Sequence, residues 1–300
     1  VNIPTPYYTN SGTKLLGLAS CCVHHTKDAI PSLSAHNHIS YMMTVNSAGQ
    51  GNKIYTRTVN DPIRGGLIAH MGIKPYLRAE VAMINANLQN GRGGAETSSV
   101  DWINPEIEEV LLFKNPMTPA AKQVRGLDYA MCFNEFFARK AANSEDVHLF
   151  SFADVPDLYE AMTLKDQSVF ANLYDKYVFQ GLARKTINAR DLLVQLLEES
   201  TNVGRNYETN LTAANIHTPF KDPISLSNLC QEIFLPTKAY DAVYELYLNK
   251  LLDELDGTNN PVVKLWLQSE IDKVEGEVAM CSLGAINVGY LDGDVGSPEW

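Results

Sequence analysis

Residues 227–236 read Ser-Asn-Leu-Cys-Gln-Glu-Ile-Phe-Leu-Pro. The apolar bulk, the Ser-Asn start and the proline stop predict an extended segment that is buried on at least one side. Because alternate side chains of such a segment point the same way, Asn228, Cys230 and Glu232 would share one face. That face would set a redox-capable thiol between a hydrogen-bonding amide and a candidate base. The alternative is a partly buried strand in which Cys230 only packs and Glu232 is solvated. Spacing alone favours the alternative, since free cysteines are commonly buried and unreactive.

The composition is that of an ordinary globular protein: 300 residues, of which 45% are hydrophobic and 20% are charged. This length suits one large domain or two small ones. The net charge of -11 and the pI of about 5.1 argue against binding to a nucleic-acid polymer, which normally requires a basic surface. No apolar run reaches the roughly 18–20 residues of a membrane span, and the N-terminus does not resemble a signal peptide. We therefore expect a soluble, unexported protein without a membrane contact, located in the cytoplasm, or in the host cytoplasm if the protein is viral.

The chain has five cysteines and seven histidines. The cysteines are Cys21, Cys22, Cys132, Cys230 and Cys281. None of them forms a C-x-x-C pair, so in a reducing compartment they should be either buried or catalytic. The nearest approach to a metal motif is His36-x-His38 together with His24-His25. No cysteine or carboxylate stands at ligand spacing from them, and we expect no metal site.

The rest of the chain divides into apolar, helical and loop-like stretches. Extended pieces are expected at residues 1–6, 15–23 and 278–288, and a loop is expected at 47–52 because of its glycine and polar content. Periodicity and helix-start signals predict helices at 75–88, 107–114, 125–142, 155–177 and 187–200. Residues 239–273 read as a helical hairpin on the surface, broken at 257–261. The sequence shows neither an internal repeat nor a clear linker.

Two glycine-containing turns stand out. In the first, residues 60–66, Arg57 and Arg64 flank the turn, an arrangement that suits an anion because guanidinium groups and free backbone amides both bind phosphate. Two solvated arginines are the alternative, and the pattern alone favours it. The second turn, residues 90–95, matches no nucleotide-binding fingerprint.

Several of these stretches, in order, resemble one family, the large catalytic subunit of ribonucleotide reductase, most like class I. The matching motifs include Asp61-Pro-Ile-Arg-Gly-Gly, Gly91-Arg-Gly-Gly-Ala-Glu-Thr, His217-Thr-Pro-Phe, Ser227-Asn-Leu-Cys-Gln-Glu-Ile and Val278-Ala-Met-Cys-Ser-Leu. The resemblance implies an α/β fold, about half of a ten-stranded α/β barrel with a central finger loop that carries Cys230. It further implies a single partial catalytic domain over residues 1–300, in which 239–273 is a helical insertion. The N-terminal regulatory region and the C-terminal half of the barrel are expected to be absent.

The resemblance also implies roles for individual residues. Cys230 would become a thiyl radical that abstracts the 3′-hydrogen of a ribonucleotide, Glu232 would take the 3′-hydroxyl proton, and Asn228 would hold the sugar hydroxyls. Cys21 and Cys281 would reduce the 2′ carbon and end as a disulfide, which requires Cα atoms roughly 5–6 Å apart. Cys22 is the rival to Cys21, and Cys132 is expected only to pack.

Further residues and partners follow from the same resemblance. Thr5 and Ser20 would contact substrate, together with Asn228 and Glu232. Asp28, Arg57 and Arg64 would bind a deoxynucleoside triphosphate or ATP as effector.

No cofactor would bind directly. A metal-containing small subunit would supply the radical, and a thioredoxin- or glutaredoxin-type dithiol would be the external reductant. We also expect a homodimer and a second polypeptide that completes the barrel. The alternatives are an adenosylcobalamin-dependent class II reductase and a catalytically dead nucleotide-binding regulatory module.

Overall fold

The computed structural model describes residues 3–14, 17–86 and 93–284. The strands in this part of the chain are β1 (Cys21–His25), β2 (Gly49–Lys53), β3 (Pro62–Ile63), β4 (Ile68–Ala69), β5 (Glu96–Asp101), β6 (Asp128–Phe133), β7 (Asp146–Leu149), β8 (Lys185–Asn188), β9 (Asn206–Asn210) and β10 (Ala279–Cys281). Six of them form one mixed sheet in the order β10-β1-β2-β5-β6-β9, while β3-β4 and β7-β8 are separate hairpins.

Helices return the chain between the parallel strands. They are α1 (Thr5–Asn10), α2 (Ile30–Val45), α3 (Lys74–Ala86), α4 (Ile107–Leu111), α5 (Glu135–Asn143), α6 (Pro156–Ala161), α7 (Gln167–Phe179), α8 (Ala189–Val203), α9 (Leu211–Ile216), α10 (Leu248–Gly257) and α11 (Pro261–Ile271), with 3₁₀ turns at Ala120–Lys122 and Val243–Tyr247. β1, β2, β5, β6 and β9 run parallel, and β10 lies antiparallel beside β1. Parallel neighbours require long crossovers, so this topology confirms the α/β prediction.

The main hydrophobic core lies where helices cover the sheet. Its largest buried side chains include Trp102, whose ring centroid is 5.0 Å from that of Phe137 on α5. The helix predicted at residues 187–200 corresponds to α8, whose leucines repeat at helical spacing: Leu192 and Leu196 are buried, while Leu193 is half-buried and Leu197 is exposed. α8 therefore packs on the core through one face, as an amphipathic helix does.

The loop predicted at residues 47–52 is wrong. Residues 49–53 form β2, a strand between β1 and β5 whose five residues are all buried. Glycine, glutamine and asparagine read as loop residues in isolation. Here the glycines leave room for a segment that crosses the sheet closely, a recognised reason for glycine inside a strand.

The helix predicted at residues 125–142 is wrong in its first half. Residues 128–133 form β6, and α5 begins only at Glu135, after Asn134, whose Oδ1 accepts a hydrogen bond from the backbone N–H of Phe137 at 3.1 Å. A short apolar run such as Ala-Met-Cys-Phe suits a buried parallel strand as well as a helix, so periodicity cannot separate the two.

Other boundaries are closer to the predictions. The helix predicted at 155–177 is two helices, α6 and α7, and Asp166 caps the second one. The predictions at 75–88 and 107–114 correspond to α3 and to the shorter α4, although residues 87–88 lie outside the described part.

Three pieces predicted as extended match the structure only in part. Residues 5–10 are helical, and of residues 15–23 only 21–23 lie in a strand. Of residues 278–288 only 279–281 form a strand, and 285–288 lie outside the described residues, as do 1–2, 15–16 and 90–92.

Residues 239–273 do form a helical hairpin, in which α10 and α11 pack together. Asn260 caps α11 by accepting from the backbone N–H groups of Val262 and Val263. The hairpin is held to the start of α2 by an ion pair between Lys27 and Asp241 at 2.6 Å. That it is an insertion relative to a family stays a prediction. None of the helices in the described residues has the length and apolar character needed to cross a bilayer.

Candidate active site

Residues 224–237 form a loop that lies across one face of the sheet, and we refer to it as the finger loop. The opposite face of the sheet is covered by α2 and α3. The finger loop contacts three different strands: a carbonyl oxygen of the loop lies 3.8 Å from Cys132 Sγ on β6, and hydroxyls from Thr97 on β5 and Thr209 on β9 donate to it. We refer to the sheet face that it contacts as the finger face.

The tip of the finger loop is a turn, and the extended segment expected at residues 227–236 is therefore wrong. Gln231 has a φ of 67°, in the left-handed region, and its backbone N–H donates to the carbonyl of Asn228 at 3.2 Å. The turn reverses the chain around Leu229 and Cys230, so Asn228, Cys230 and Glu232 do not share one face of a strand. Spacing could not reveal this, because a left-handed residue other than glycine or asparagine is uncommon.

Asn228 is the anchor of the turn. It is fully buried, and its Oδ1 accepts hydrogen bonds from the backbone N–H groups of Glu232 at 3.1 Å and Ile233 at 3.0 Å. Its Nδ2 lies 4.0 Å from Cys281 Sγ. One amide therefore ties both sides of the tip together and faces a thiol on β10.

Gly49 and Gly51 form the floor beneath the finger loop. A Cβ at Gly51 would collide with the carbonyl oxygen of Ser227, and a Cβ at Gly49 would lie 2.5 Å from Leu229 Cδ2. The loop can approach the sheet only because β2 has no side chains at these positions. This close approach removes backbone of the loop from water. The carbonyl of Leu229 is satisfied by the hydroxyl of Thr97, which donates to it at 2.7 Å.

Cys21 and Cys281 lie directly opposite one another where β1 pairs with β10. Both are buried. A hydrogen bond between the two thiols, followed by burial, raises the pKa of Cys21, and the same hydrogen bond lowers the pKa of Cys281. The two thiols therefore share one proton-donor contact, and their close and opposed positions are what a disulfide requires.

Cys22 occupies the other face of β1. It lies opposite Met280 and is fully buried, and its pKa is raised well above the ordinary value by burial. Because successive side chains of a strand alternate, Cys22 points away from the finger loop. The structure therefore brings Cys21, and not Cys22, against Cys281.

Ser20, the residue before Cys21, is hydrogen-bonded to the backbone of the segment that carries Cys281. Its backbone N–H donates to the carbonyl of Cys281 at 2.8 Å, and its Oγ accepts from the backbone N–H of Leu283 at 3.2 Å. Ser20 is thus adjacent to both cysteines. Its predicted contact with substrate stays a prediction.

Cys230 and Glu232 are exposed within the described residues. The reason is geometric: the sheet lies under the loop, and the described strands do not close around its tip. The pKa of Cys230 is nevertheless raised, first by partial burial and then by the neighbouring charge of Glu232. A Cβ at Gly49 would lie 2.5 Å from Leu229 Cδ2 and 3.6 Å from Cys21 Sγ, so the residue before Cys230 lies beside Cys21.

The predicted effector residues are only partly brought together. Arg57 Nε lies 3.5 Å from a carboxylate oxygen of Asp28 just beyond the ends of β2 and β1. Arg64 is exposed in the turn between β3 and β4, with a φ of 50°. The predicted turn at 60–66 is therefore present, and its role in binding an anion stays a prediction. Thr5 is exposed at the start of α1, and the described residues give it no contact with the finger loop.

Two further sequence expectations concern residues near the sheet. Cys132 is fully buried in the core, and burial raises its pKa to about 11, so it packs as expected. Among the described residues no group of histidines, cysteines and carboxylates has the geometry of a metal site.

Sequence reasoning missed the residues that hold the finger loop: Gly49, Gly51, Thr97, Thr209 and Gln231. The alternation Gly49-x-Gly51 was an available signal, since two glycines at spacing two clear one face of a strand. The threonines gave no such signal. Their partners are far away in sequence, and threonine is common in strands for packing reasons.

Comparison with known proteins gives a single family. The model of the ribonucleotide reductase barrel domain matches residues 19–295. The subunit alpha of ribonucleoside-diphosphate reductase from Buchnera aphidicola (subspecies Acyrthosiphon pisum) is 30% identical over 97% of this chain. The corresponding subunits from Escherichia coli K12 and from Enterobacteria phage T4 are 33% and 28% identical, each over 79% of the chain.

The matches cover only part of those relatives. The chain spans 35% of the Buchnera subunit and 32% of the subunits from Escherichia coli and phage T4, about one third in each case.

Proposed function

Because this chain belongs to the ribonucleotide reductase barrel family, we propose that it is the part of a ribonucleoside-diphosphate reductase catalytic subunit that carries the reactive cysteines. The single observation that supports this most is the position of Cys21 opposite Cys281, beside a turn that bears Cys230. Three thiols from distant parts of the sequence would then surround one sugar. Substrate would be a ribonucleoside diphosphate, as the names of the relatives say of those proteins.

In the proposed reaction Cys230 is the initiator. As a thiyl radical it removes the 3′-hydrogen of the ribose, and the thiol returns a hydrogen atom to C3′ at the end of the cycle. Glu232 accepts the 3′-hydroxyl proton, and Asn228 holds the sugar hydroxyls from the buried base of the turn. The radical itself would come from a metal-containing small subunit.

Cys21 and Cys281 supply the reducing equivalents. The 2′-hydroxyl leaves as water, C2′ gains hydrogen, and the two thiols together lose two electrons and two protons as their disulfide forms. The antiparallel register and the hydrogen bond between the thiols support this role, because a disulfide requires close and nearly opposed cysteines. An external thioredoxin- or glutaredoxin-type dithiol would restore the pair, as expected in a reducing cytoplasm.

The proposed radical chemistry requires that the exposed tip of the finger loop be shielded from solvent. A radical must be kept from water and stray donors, and β9 and β10 are the free edges of the described sheet. We propose that further barrel strands, in this polypeptide or in a second one, lie over Cys230, and that Thr5 and Ser20 of this chain also contact the substrate. Asp28, Arg57 and Arg64 would bind the deoxynucleoside triphosphate or ATP effector in a homodimer.

The direct test is Cys230→Ser in the complete reductase. Reduction should fall by at least about 1000-fold, while nucleotide binding should change by less than about twofold. The reason is that the serine O–H bond is far stronger than the cysteine S–H bond and does not give up its hydrogen atom to form the initiating radical. Cys22→Ser is the matched control, since Cys22 faces away from the loop, and it should keep turnover. Substantial reduction by Cys230→Ser, or loss of turnover in Cys22→Ser but not in Cys21→Ser, would contradict the assignment. Turnover that requires adenosylcobalamin and no small subunit would instead indicate class II chemistry.

A further inference from the structure

The two neighbours of Cys230 are each hydrogen-bonded to a threonine of the sheet. Thr97 on β5 donates its hydroxyl to the carbonyl of Leu229 at 2.7 Å, and Thr209 on β9 donates its hydroxyl to Gln231 Oε1, also at 2.7 Å. Both threonines are buried, and β6 lies between their strands. The residues before and after the reactive cysteine are thus fixed to two different points of a rigid sheet.

Both the oxygen and the nitrogen of the Gln231 side-chain amide are hydrogen-bonded. While Oε1 accepts from Thr209, Nε2 donates to the carbonyl of Asn228 at 3.2 Å, the same carbonyl that receives the backbone N–H of Gln231. The backbone of Gln231 is in the left-handed region, where a residue with a Cβ is strained unless its surroundings hold it. A carboxylate could not donate to Asn228, and an aliphatic side chain could bond to neither partner.

We propose that Thr209 and Gln231 form a positioning pair that sets the direction of the Cys230 thiol relative to Cys21 and Cys281. The inference rests on the proposed function for its consequence, since hydrogen abstraction depends steeply on distance and direction: a displacement of about 1 Å can reduce a rate by about 100-fold. Neither residue needs to touch the substrate. Thr97 fixes the other side of the tip, so loss of the pair would free one side only.

A first experiment measures the geometry of the thiol without any turnover. Cys230 is the exposed cysteine among the five free ones, so limiting iodoacetamide should alkylate it first, as followed by peptide mass spectrometry. Thr209→Val and Gln231→Ala should each raise the alkylation rate by about 3- to 10-fold, because the tip then samples more open positions. The double variant should react no faster than the faster single variant, since either change breaks the same contact.

Three further variants separate positioning from general destabilisation. Thr209→Ser keeps the hydroxyl and should stay within about twofold of the wild type, whereas Thr201→Val removes an exposed hydroxyl on α8 and should have no effect on Cys230. Gln231→Gly relieves the left-handed backbone but removes the amide, and it should react like Gln231→Ala. Wild-type alkylation rates in Thr209→Val and Gln231→Ala, or additive effects in the double variant, would overturn the proposal.

A second experiment uses the complete reductase. Thr209→Val and Gln231→Ala should each lower kcat by about 10-fold or more and leave KM for the substrate within about twofold of the wild type. Thr209→Ser, which keeps the hydroxyl, should have the wild-type kcat. A change in KM alone would overturn the positioning role. If the wild type does not reduce ribonucleotides at all while the alkylation pattern holds, the proposed function fails and the assignment of the pair to the thiol stands.

Discussion

β1, β2 and β5 present one set of side chains to the finger loop and another to α2 and α3. Beneath the tip of the loop the residues of the finger face are small: Gly49 and Gly51 have no side chain, and the Thr97 hydroxyl is hydrogen-bonded to the loop. Toward the carboxyl ends of β2 and β5 the same face carries a buried ion pair, Lys53 with Asp101 at 2.7 Å. Cys21 also lies on this face, and its free thiol is hydrogen-bonded to the thiol of Cys281. The finger face thus holds a reactive loop through close approach and neutral hydrogen bonds.

The opposite face of the same strands is built from ionisable groups. The ring of His24 on β1 packs against that of His36 on α2, with centroids 4.4 Å apart and planes tilted by 44°, and His36 Nε2 lies 3.3 Å from a carboxylate oxygen of Glu80 on α3. Asn52 on β2 joins the cluster by donating to Glu96 on β5 at 2.6 Å. All of these residues are buried, and Nδ1 of both histidines has no hydrogen-bond partner within the described residues.

The difference between the two faces is a difference in what each can tolerate. Beneath the tip, the finger face is limited by space, because one added methyl group at Gly49 or Gly51 meets the loop. The helix face is limited by charge, because buried ionised groups are stable only when paired. The position of the catalytic loop should therefore respond to side-chain volume, and the docking of α2 and α3 should respond to protonation.

The largest loss of stability is expected for His36→Leu. Leucine fills the space but removes the imidazole nitrogen that lies 3.3 Å from the buried carboxyl group of Glu80, and removing one partner of such a buried pair typically costs about 3–5 kcal/mol. His38→Leu is the matched control on the same helix; His38 is half-buried and contacts Tyr247 Oη at 3.2 Å, so a loss of about 1 kcal/mol or less is expected. Urea unfolding of this chain measures both. Equal losses for the two variants would mean that the cluster is not held by charge.

The finger face should give the next largest effect, in Gly51→Ala. The new methyl group would meet backbone, the carbonyl of Ser227, which cannot rotate away. Overpacking of this kind typically costs about 1–3 kcal/mol. Gly257→Ala, at the end of α10 with no neighbouring atom within 4 Å, should leave the free energy of unfolding unchanged or slightly higher. A Gly51→Ala variant as stable as the wild type would show that the loop does not rest on β2.

The sequence predicted the helices better than the strands. α8 was predicted correctly because its leucines repeat at helical spacing and half of that stripe is buried. β2 was missed because Gly-Gln-Gly-Asn-Lys contains no residue with a high preference for strands. Its residues fit the finger loop on one face and the buried polar cluster on the other. β6 was read as helix because four apolar residues in succession fit both.

The candidate site was predictable only through motifs. Spacing placed Asn228, Cys230 and Glu232 on one face of a strand, which is wrong, because the turn depends on a left-handed Gln231 held by Thr209 from another strand. The pairing of Cys21 with Cys281 is a long-range register between β1 and β10 that no local pattern contains. Only the resemblance to a family suggested it.

A smaller, graded effect is expected from pH on the helix face. Burial, and then repulsion by Glu80, raises the pKa of Glu96 well above its ordinary value. Between the ordinary carboxyl pKa of about 4.3 and the raised value, the folded state keeps a proton that the unfolded chain has released. The free energy of unfolding therefore falls as pH rises, by at most about 1.4 kcal/mol per pH unit for one proton. Urea unfolding between about pH 5.5 and 7 measures this slope while avoiding the titration of thiols and phenols.

Glu96→Gln isolates that contribution. The amide cannot lose a proton, so the variant should lack the part of the slope that comes from Glu96. His24, whose pKa burial lowers, acts in the opposite direction by reducing stability as pH falls, but it is present in both proteins and cancels in the comparison. Glu198→Gln, an exposed change on α8, should keep the wild-type slope. The same slope in Glu96→Gln and the wild type would mean that Glu96 is ionised in the folded protein.

The smallest effect is expected for Gly49→Ala, which sharpens the contrast within the finger face itself. Its methyl group would lie 2.5 Å from Leu229 Cδ2, the end of a side chain that can change rotamer, so the loss should be about 1 kcal/mol or less. Because the conflict is with Leu229 alone, adding Gly49→Ala to Leu229→Ala should cost nothing further in urea unfolding. A loss in Gly49→Ala as large as in Gly51→Ala would mean that Leu229 is held as rigidly as the backbone. The tip would then be fixed by packing as well as by Thr97 and Thr209.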